Sequence, residues 1–287
     1  MKQTASVAAA LKTAAQDLSA AGCDTPQLDA ELLLAFTLNQ SRTWLLTYPE
    51  IPLSSQQQKR FLALVERRRQ KEPVAYIVGQ KGFFGLDFLV TPGVLIPRPE
   101  TELLIETALE IASGGAAESS PTIADVGTGS GCIAVTLAKN LVHARLFAVD
   151  ISTQALSIAK KNAAAHGVSN RIDFLQGNLL NPLLEPVNMI VSNPPYISRL
   201  ELQSVMPDVV QYEPDLALNG GESGLVIIEK LLSQGTTKLT AGGSILVEIG
   251  YRQGDAVKQL ALANFPAAAV KIKQDLAGLD RLLVIKT

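Results

Sequence analysis

Apolar residues in the first quarter of the chain keep helical spacing. Val7, Leu11, Ala14 and Leu18 fall on one face and the pattern stops at Gly22, which predicts an amphipathic helix up to about Ala21. Asp24-Thr25-Pro26 then reads as a helix start, with proline pre-set for the first turn, and a second helix runs to about Leu38. A short helix at 42–46 and a long one from Ser54 to about Lys71 follow, so residues 1–75 are expected to form a small all-α bundle. The period changes at 82–96, GFFGLDFLVTPGVLI, where positions alternate and Thr91-Pro92-Gly93 supplies turn residues. That is a hairpin signature, and residues 76–98 are assigned to a β-hairpin linker closed by Pro97-Arg98-Pro99.

From Glu100 onward the two periods alternate. Helices are predicted at 100–112, 131–140 and 152–166, after Gly221 and near 253–263, with a Gly/Ser-rich loop after the first. Strands are predicted at 122–126, 145–149, 171–175, 189–192, 244–249, about 270–275 and 281–286. Seven strands interleaved with helices predict an α/β domain over 99–287, a doubly wound and mostly parallel sheet covered on both faces. The last two strands, joined through Ala277-Gly278-Leu279-Asp280, look like a hairpin that adds an antiparallel edge.

Composition narrows the class. A chain of 287 residues that is 47% hydrophobic can bury a large core in two domains, and a net charge of −2 gives no overall basic field for nucleic acid or anionic membrane. Arg67-Arg68-Arg69 is the one dense basic cluster, read as a solvated helix face whose functional use would be an acidic partner surface. Cys23 and Cys132 form no CxxC pattern, which fits a reducing compartment and a cytoplasmic location. Lys12 and Asp17 interrupt any signal-peptide core, and no uninterrupted apolar run reaches the ~18 residues of a membrane span. With only His143 and His166 besides the two cysteines, no metal site is expected.

The chemistry-bearing motifs all fall at carboxyl ends of predicted strands, where an open doubly wound sheet binds its ligand. Asp125-Val126-Gly127-Thr128-Gly129-Ser130-Gly131 joins a strand to a helix, and glycines at that spacing let a ligand approach bare backbone beside a helix N-terminus. The spacing is GxGxG, not the GxGxxG of dinucleotide sites. Asp150 tips the next strand, placed either to accept both hydroxyls of a ribose or to cap the following helix, a role Ser152 could also fill. Gln176-Gly177-Asn178-Leu179 follows the third strand, where an amide and a leucine could face an adenine. Asn193-Pro194-Pro195-Tyr196 ends the fourth. Two prolines stop the ladder and stiffen the exit. The Asn193 side-chain oxygen and the Pro194 carbonyl then make two fixed acceptors suited to a planar –NH2, with Tyr196 as a flat stacking face.

Together DVGTGSGCI, Asp150 and NPPY resemble the class I S-adenosylmethionine-dependent methyltransferases that act on exocyclic or amide nitrogen, whose fold is Rossmann-like. PVAYIVGQ at 73–80, FFGLDFLVTPGVLIPRPETE at 83–102 and YEPDLALNGGESGL at 212–225 make the chain similar to the PrmC/HemK family over essentially its whole length. That resemblance implies methyl transfer from S-adenosylmethionine to the side-chain amide nitrogen of the glutamine in the Gly-Gly-Gln motif of class I peptide-chain release factors. It implies a cofactor site at Asp125, Gly127, Thr128, Gly129, Ser130, Gly131, Asp150, Asn178, Leu179 and Asn193. The catalytic and glutamine-binding residues would be Asn193, Pro194, Pro195 and Tyr196, with the helical bundle docking the protein substrate. No direct nucleic-acid or membrane contact is implied, and a monomer is expected. Gly82 stands where the family usually has glutamate, Asn178 where aspartate is common, and Leu179 where some members have an aromatic. A flipped base presents the same –NH2, so the alternative is a DNA adenine or RNA guanine methyltransferase, which would carry a basic recognition surface. A third reading, a non-catalytic sensor or chaperone, has no need of NPPY.

Overall fold

The computed structural model describes residues 5–114, 120–204 and 206–287. Most of the predicted Gly/Ser-rich loop lies outside them, as do residues 1–4. Two compact units emerge: residues up to Gln80 together with Met206–Tyr212, and the remainder.

The first unit is helical, with α1 (Val7–Ala20), α2 (Pro26–Leu38), α3 (Arg42–Thr47), α4 (Ser55–Arg69) and a short α5 (Val74–Val78) that the spacing did not reveal. Local chemistry sets the ends. Ser6 caps α1, Asn39 closes α2 in the left-handed conformation, and Ser54 with Gln57 forms a capping box at α4. Val7, Leu11, Leu18, Leu33, Leu34 and Phe61 share one buried core. Only two members of the arginine cluster form the expected solvated face. Arg68 is buried and its Nε donates to Asp29 at 2.7 Å, while Arg67 pairs with Glu72 and Arg69 with Glu66. Arg68 Nη1 also lies 3.7 Å from Asp208, and the Tyr212 hydroxyl donates to Gln70 O at 2.8 Å. Those contacts explain why Met206–Tyr212 belongs to this unit although its sequence neighbours do not.

The second unit opens with the hairpin, which turns earlier than predicted. Its strands are β1 (Gln80–Phe83) and β2 (Leu86–Leu89), joined by Phe84 and Gly85 with φ of 49° and 72°. A two-residue hairpin turn of this hand needs positive φ at both positions, and a phenylalanine at the first hides the signal. The strained residue is held by its own N–H, donated to Glu102 Oε1 at 3.0 Å. Thr91-Pro92-Gly93 does turn, closing Val94 N–H on Thr91 O at 3.0 Å, but beyond β2. After a 3₁₀ turn at Pro99–Thr101 come α6 (Glu102–Ser113), β3 (Thr122–Val126), α7 (Cys132–Asn140), β4 (Arg145–Asp150), α8 (Thr153–Ala165), β5 (Ile172–Gln176) and β6 (Val187–Ser192). The chain then forms α9 (Pro207–Tyr212), which packs with the helical unit, α10 (Asp215–Leu218), α11 (Val226–Lys238), β7 (Leu239–Glu248), α12 (Gly254–Asn264), β8 (Ala269–Gln274) and β9 (Asp280–Lys286).

Seven strands pair in the order β5-β4-β3-β6-β7-β9-β8, parallel except that β9 runs antiparallel to both β7 and β8. The central strands read as continuous apolar runs because helices cover both faces. Val126 lies level with both Val149 and Ser192, and Asp150 with Gln176, so four strands end along one edge. The strand order reverses beside β3: α7 and α8 carry the chain outward to β5, and it returns to β6 on the other side. A crevice at that reversal is where such sheets hold ligands.

Candidate active site

A cavity of about 240 Å³ opens over these strand ends. Its wall includes Gly127, Thr128, Gly129 and Ser130 after β3, Asp150 after β4, Asn178 and Leu179 after β5, and Asn193 and Pro195 after β6. Four of the predicted residues stand off the wall. Asp125 and Pro194 are buried, Gly131 caps α7, and Tyr196 packs on the apolar core beside the sheet. The helical unit carries a wider open groove of about 760 Å³, but Lys12 is its only charged lining residue.

The glycine loop is held from three sides. Gly127 and Thr128 both donate backbone N–H to Val149 O, at 2.8 and 3.0 Å, which ties the turn to β4. Gly127 and Gly129 have φ of 74° and 55°, and a methyl group on Gly127 would meet nothing within 4 Å. The loop therefore presents open space and bare backbone, a cradle that suits an extended polar ligand. Gly131 serves a different end. A Cβ there would sit 2.9 Å from Ala159 Cβ, so its absence lets α7 pack close to α8. Beneath the loop, Asp125 Oδ2 accepts from Thr128 Oγ1 at 2.6 Å and from Ala134 N at 3.1 Å. Full burial pushes that carboxyl up to about 7, against the pull of the two donors.

Asp150 is not the helix cap, because Ser152 Oγ accepts from Ala155 N and takes that role for α8. The Asp150 carboxylate instead accepts from Gly129 N and Ser152 N, each at 2.9 Å, and so joins the first loop to the second. Burial raises its pKa, and those backbone donors hold it back. Each carboxylate oxygen keeps a further lone pair for a ligand hydroxyl.

Asn162 on α8 went unremarked in the sequence. Its Nδ2 donates to Ser130 O at 2.7 Å and Leu89 O at 3.0 Å, and its Oδ1 accepts from Leu89 N at 2.8 Å. One buried side chain thus fastens the glycine loop and the hairpin to the same helix. A polar residue on an otherwise apolar helix face was the available signal. Asn162→Ala leaves one buried and two half-buried backbone groups unpaired and is expected to cost about 1–3 kcal/mol, read as a lower urea midpoint at unchanged slope.

At the end of β6, Ser192 Oγ donates to Val126 O at 2.7 Å, fixing the exit. Asn193 Nδ2 donates to Thr101 Oγ1 at 3.1 Å, and Thr101 Oγ1 donates to Glu248 Oε2 at 2.6 Å. Among the described residues no donor is engaged on Asn193 Oδ1 or on the Pro194 carbonyl. Neither acceptor has an internal donor, and only Asn193 stands on the cavity wall, Pro194 being buried behind it. The flat face expected of Tyr196 is not on the cavity wall: its ring packs against the core, and its carbonyl accepts from Gln253 Nε2 at 2.9 Å. Cys132 lines the cavity, but burial pushes its thiol up to about 12, so it is no thiolate nucleophile.

Residues 9–79 match the PrmC N-terminal domain, and residues 100–241 match the Methyltransferase small domain. A release factor glutamine methyltransferase from Koribacter versatilis (strain Ellin345) is 45% identical over 280 residues, covering 96% of each chain. One from Coxiella burnetii (strain RSA 493 / Nine Mile phase I) is 40% identical over 98% of this chain and 99% of its own. Among solved structures, a methyltransferase from Pyrococcus furiosus superposes with a TM-score of 0.52 at 16% identity, covering 78% of this chain and 96% of that one, which is a likeness of fold.

Proposed function

The chain belongs to the release factor glutamine methyltransferase family, and from that premise we propose that it methylates the side-chain amide nitrogen of the glutamine in the Gly-Gly-Gln motif of class I peptide-chain release factors. The observation that carries this reading is Asn193 on the cavity wall at the end of β6, its amino edge engaged on Thr101 and its Oδ1 without an internal donor, like the carbonyl of the next residue, Pro194. A primary amide offers two N–H donors in one plane, and two fixed acceptors can take both.

We propose S-adenosylmethionine as the methyl donor, in the cavity walled by Gly127, Thr128, Gly129, Ser130 and Asp150. When bound, it supplies an electrophilic methyl carbon on a sulfonium sulfur. The glycine backbone and the β3 loop would hold the amino-acid end, Asp150 the ribose hydroxyls, and Asn178 and Leu179 the adenine. The amide nitrogen is a poor nucleophile because its lone pair is delocalised into the carbonyl, so the pocket must orient it. Accepting both N–H groups at Asn193 and Pro194 aims the lone pair away from them. As positive charge develops on the nitrogen, those two hydrogen bonds strengthen, which makes them transition-state interactions. Pro195 and the buried Pro194 keep the acceptors in place, and Tyr196 anchors the turn. The new N–C bond would form as the C–S bond breaks with its electron pair returning to sulfur, and the methylated nitrogen would release its proton to solvent water.

The helical unit is proposed to dock the release factor, since a small pocket cannot tell one glutamine from all others. Its arginines, engaged in internal ion pairs, favour a protein partner over nucleic acid. No helix among the described residues is long and apolar enough to cross a membrane, and we place the enzyme in the cytoplasm, acting as a monomer. The test is mass spectrometry of a release factor incubated with this protein and S-adenosylmethionine. One added methyl on the glutamine-bearing tryptic peptide is expected, and an unmodified peptide overturns the reading.

A further inference from the structure

We infer that Glu248 is a positioning residue, which through the Thr101 hydroxyl fixes the direction in which the Asn193 carboxamide faces. The inference rests on the function proposed above and extends it to two residues behind Asn193, Thr101 and Glu248.

The argument is one of proton counting. A threonine hydroxyl has a single proton and two lone pairs. Thr101 directs its proton to Glu248 Oε2 at 2.6 Å, the short distance of a bond to a carboxylate. Its oxygen can then only accept from Asn193, 3.1 Å away, so the amino edge of that side chain must face Thr101. Oδ1 is therefore turned the other way and stays free as an acceptor. An asparagine carboxamide is nearly symmetric in shape, and packing alone cannot distinguish its two edges. Hydrogen-bond polarity can. A flipped Asn193 would offer N–H to the N–H of the substrate amide, donor against donor.

Burial makes this relay decisive. Thr101 and Glu248 are each 2% exposed, so bulk water does not compete for the hydroxyl proton. Glu248 is also an anomaly in its strand, a carboxylate at the end of the apolar run Ile245, Leu246, Val247, where burial costs stability unless the charge has a task. It also stands near the Tyr196 hydroxyl, whose proximity lowers its pKa. Burial pushes its carboxyl up to about 7, Glu100 adds to the rise, and the Thr101 hydroxyl and Arg281 pull it back, so the relay is set in the ionised form, present above that pH. One side chain on β7 is thus linked through Thr101 to the start of the turn after β6.

Replacing the carboxylate by a carboxamide reverses the logic. The Gln –NH2 can donate to Thr101, whose proton is then released toward Asn193 Oδ1, and the Asn193 amide rotates. Glu248→Gln is therefore expected to lower kcat about 100-fold on the release factor, the scale of a misplaced reacting group. The dissociation constant for S-adenosylmethionine by calorimetry should stay within about threefold of wild type. Thr101→Val should show the same split, and Thr101→Ser, which keeps the hydroxyl, should restore turnover to within about threefold. A spectroscopic arm needs no substrate: in protein labelled with ¹⁵N-asparagine, NOEs run from the Asn193 –NH2 protons to the Thr101 side chain in wild type and vanish in Glu248→Gln. Should Glu248→Gln not fold, the two Thr101 variants decide by turnover. If wild type transfers no methyl, the functional reading fails, while the NOEs still decide the orientation. Retained kcat in folded Glu248→Gln or Thr101→Val, or unchanged NOEs in Glu248→Gln, overturns the inference.

Discussion

Asn193→Ala is expected to abolish most methyl transfer, lowering kcat by about 10²–10³-fold, while S-adenosylmethionine still binds within about threefold of wild type. The magnitude is that of removing one preorganised group whose hydrogen bond matures only as charge develops. Alanine deletes Oδ1, the acceptor left free when the amino edge is tied to Thr101, and leaves the Pro194 carbonyl to hold the substrate amide alone. A single acceptor permits rotation about the remaining bond, so the nitrogen lone pair is no longer aimed. The glycine loop and Asp150 hang from β3 and β4 and do not depend on Asn193, which is why cofactor affinity should survive. Burst and steady-state kinetics with a release factor, run beside calorimetry, separate the two. Turnover within tenfold of wild type would mean that the turn after β6 does not orient the nucleophile.

The parts of this site that were legible in the sequence are those written by local backbone constraints. Glycines 127, 129 and 131 each hold positive φ, and few other residues tolerate it, so the turn leaves its mark in three letters. The prolines after Ser192 mark a strand that must stop, and the apolar run before them marks a strand buried on both faces. The same reasoning fails where the signal is long-range. Thr101, Asn193 and Glu248 lie 92 and 147 residues apart, and no periodicity links them. Arg68 looked like one of three solvated cations, although only burial against Asp29 tells it from Arg67 and Arg69. The hairpin turn was misplaced because Phe84 occupies a position that glycine or asparagine usually signals. Nor could local pattern show that Met206–Tyr212 leaves its neighbours for the helical unit, since the reason is a pair of contacts to Arg68 and Gln70. Legibility therefore tracked the distance over which each constraint acts.

Asp150→Ala is expected to weaken S-adenosylmethionine binding about 100-fold, or about 2.8 kcal/mol at tenfold per 1.4 kcal/mol. Two losses add. The carboxylate is the acceptor proposed for the ribose hydroxyls, and a hydrogen bond to a charged group contributes about 1.5–3 kcal/mol. It is also the link between Gly129 N and Ser152 N, so its removal loosens the cradle that meets the rest of the ligand. Stability should change far less, because Ser152 keeps the cap of α8 and the freed N–H groups lie beside a cavity open to water. Asp150→Asn sorts the two losses. It retains one carbonyl oxygen for the loop but gives up charge and an acceptor, so an affinity near that of the alanine variant assigns the effect to ribose recognition. An affinity near wild type in Asn and a large loss in Ala assigns it to loop organisation. Unchanged affinity in both, measured by calorimetry, would remove Asp150 from the cofactor site altogether.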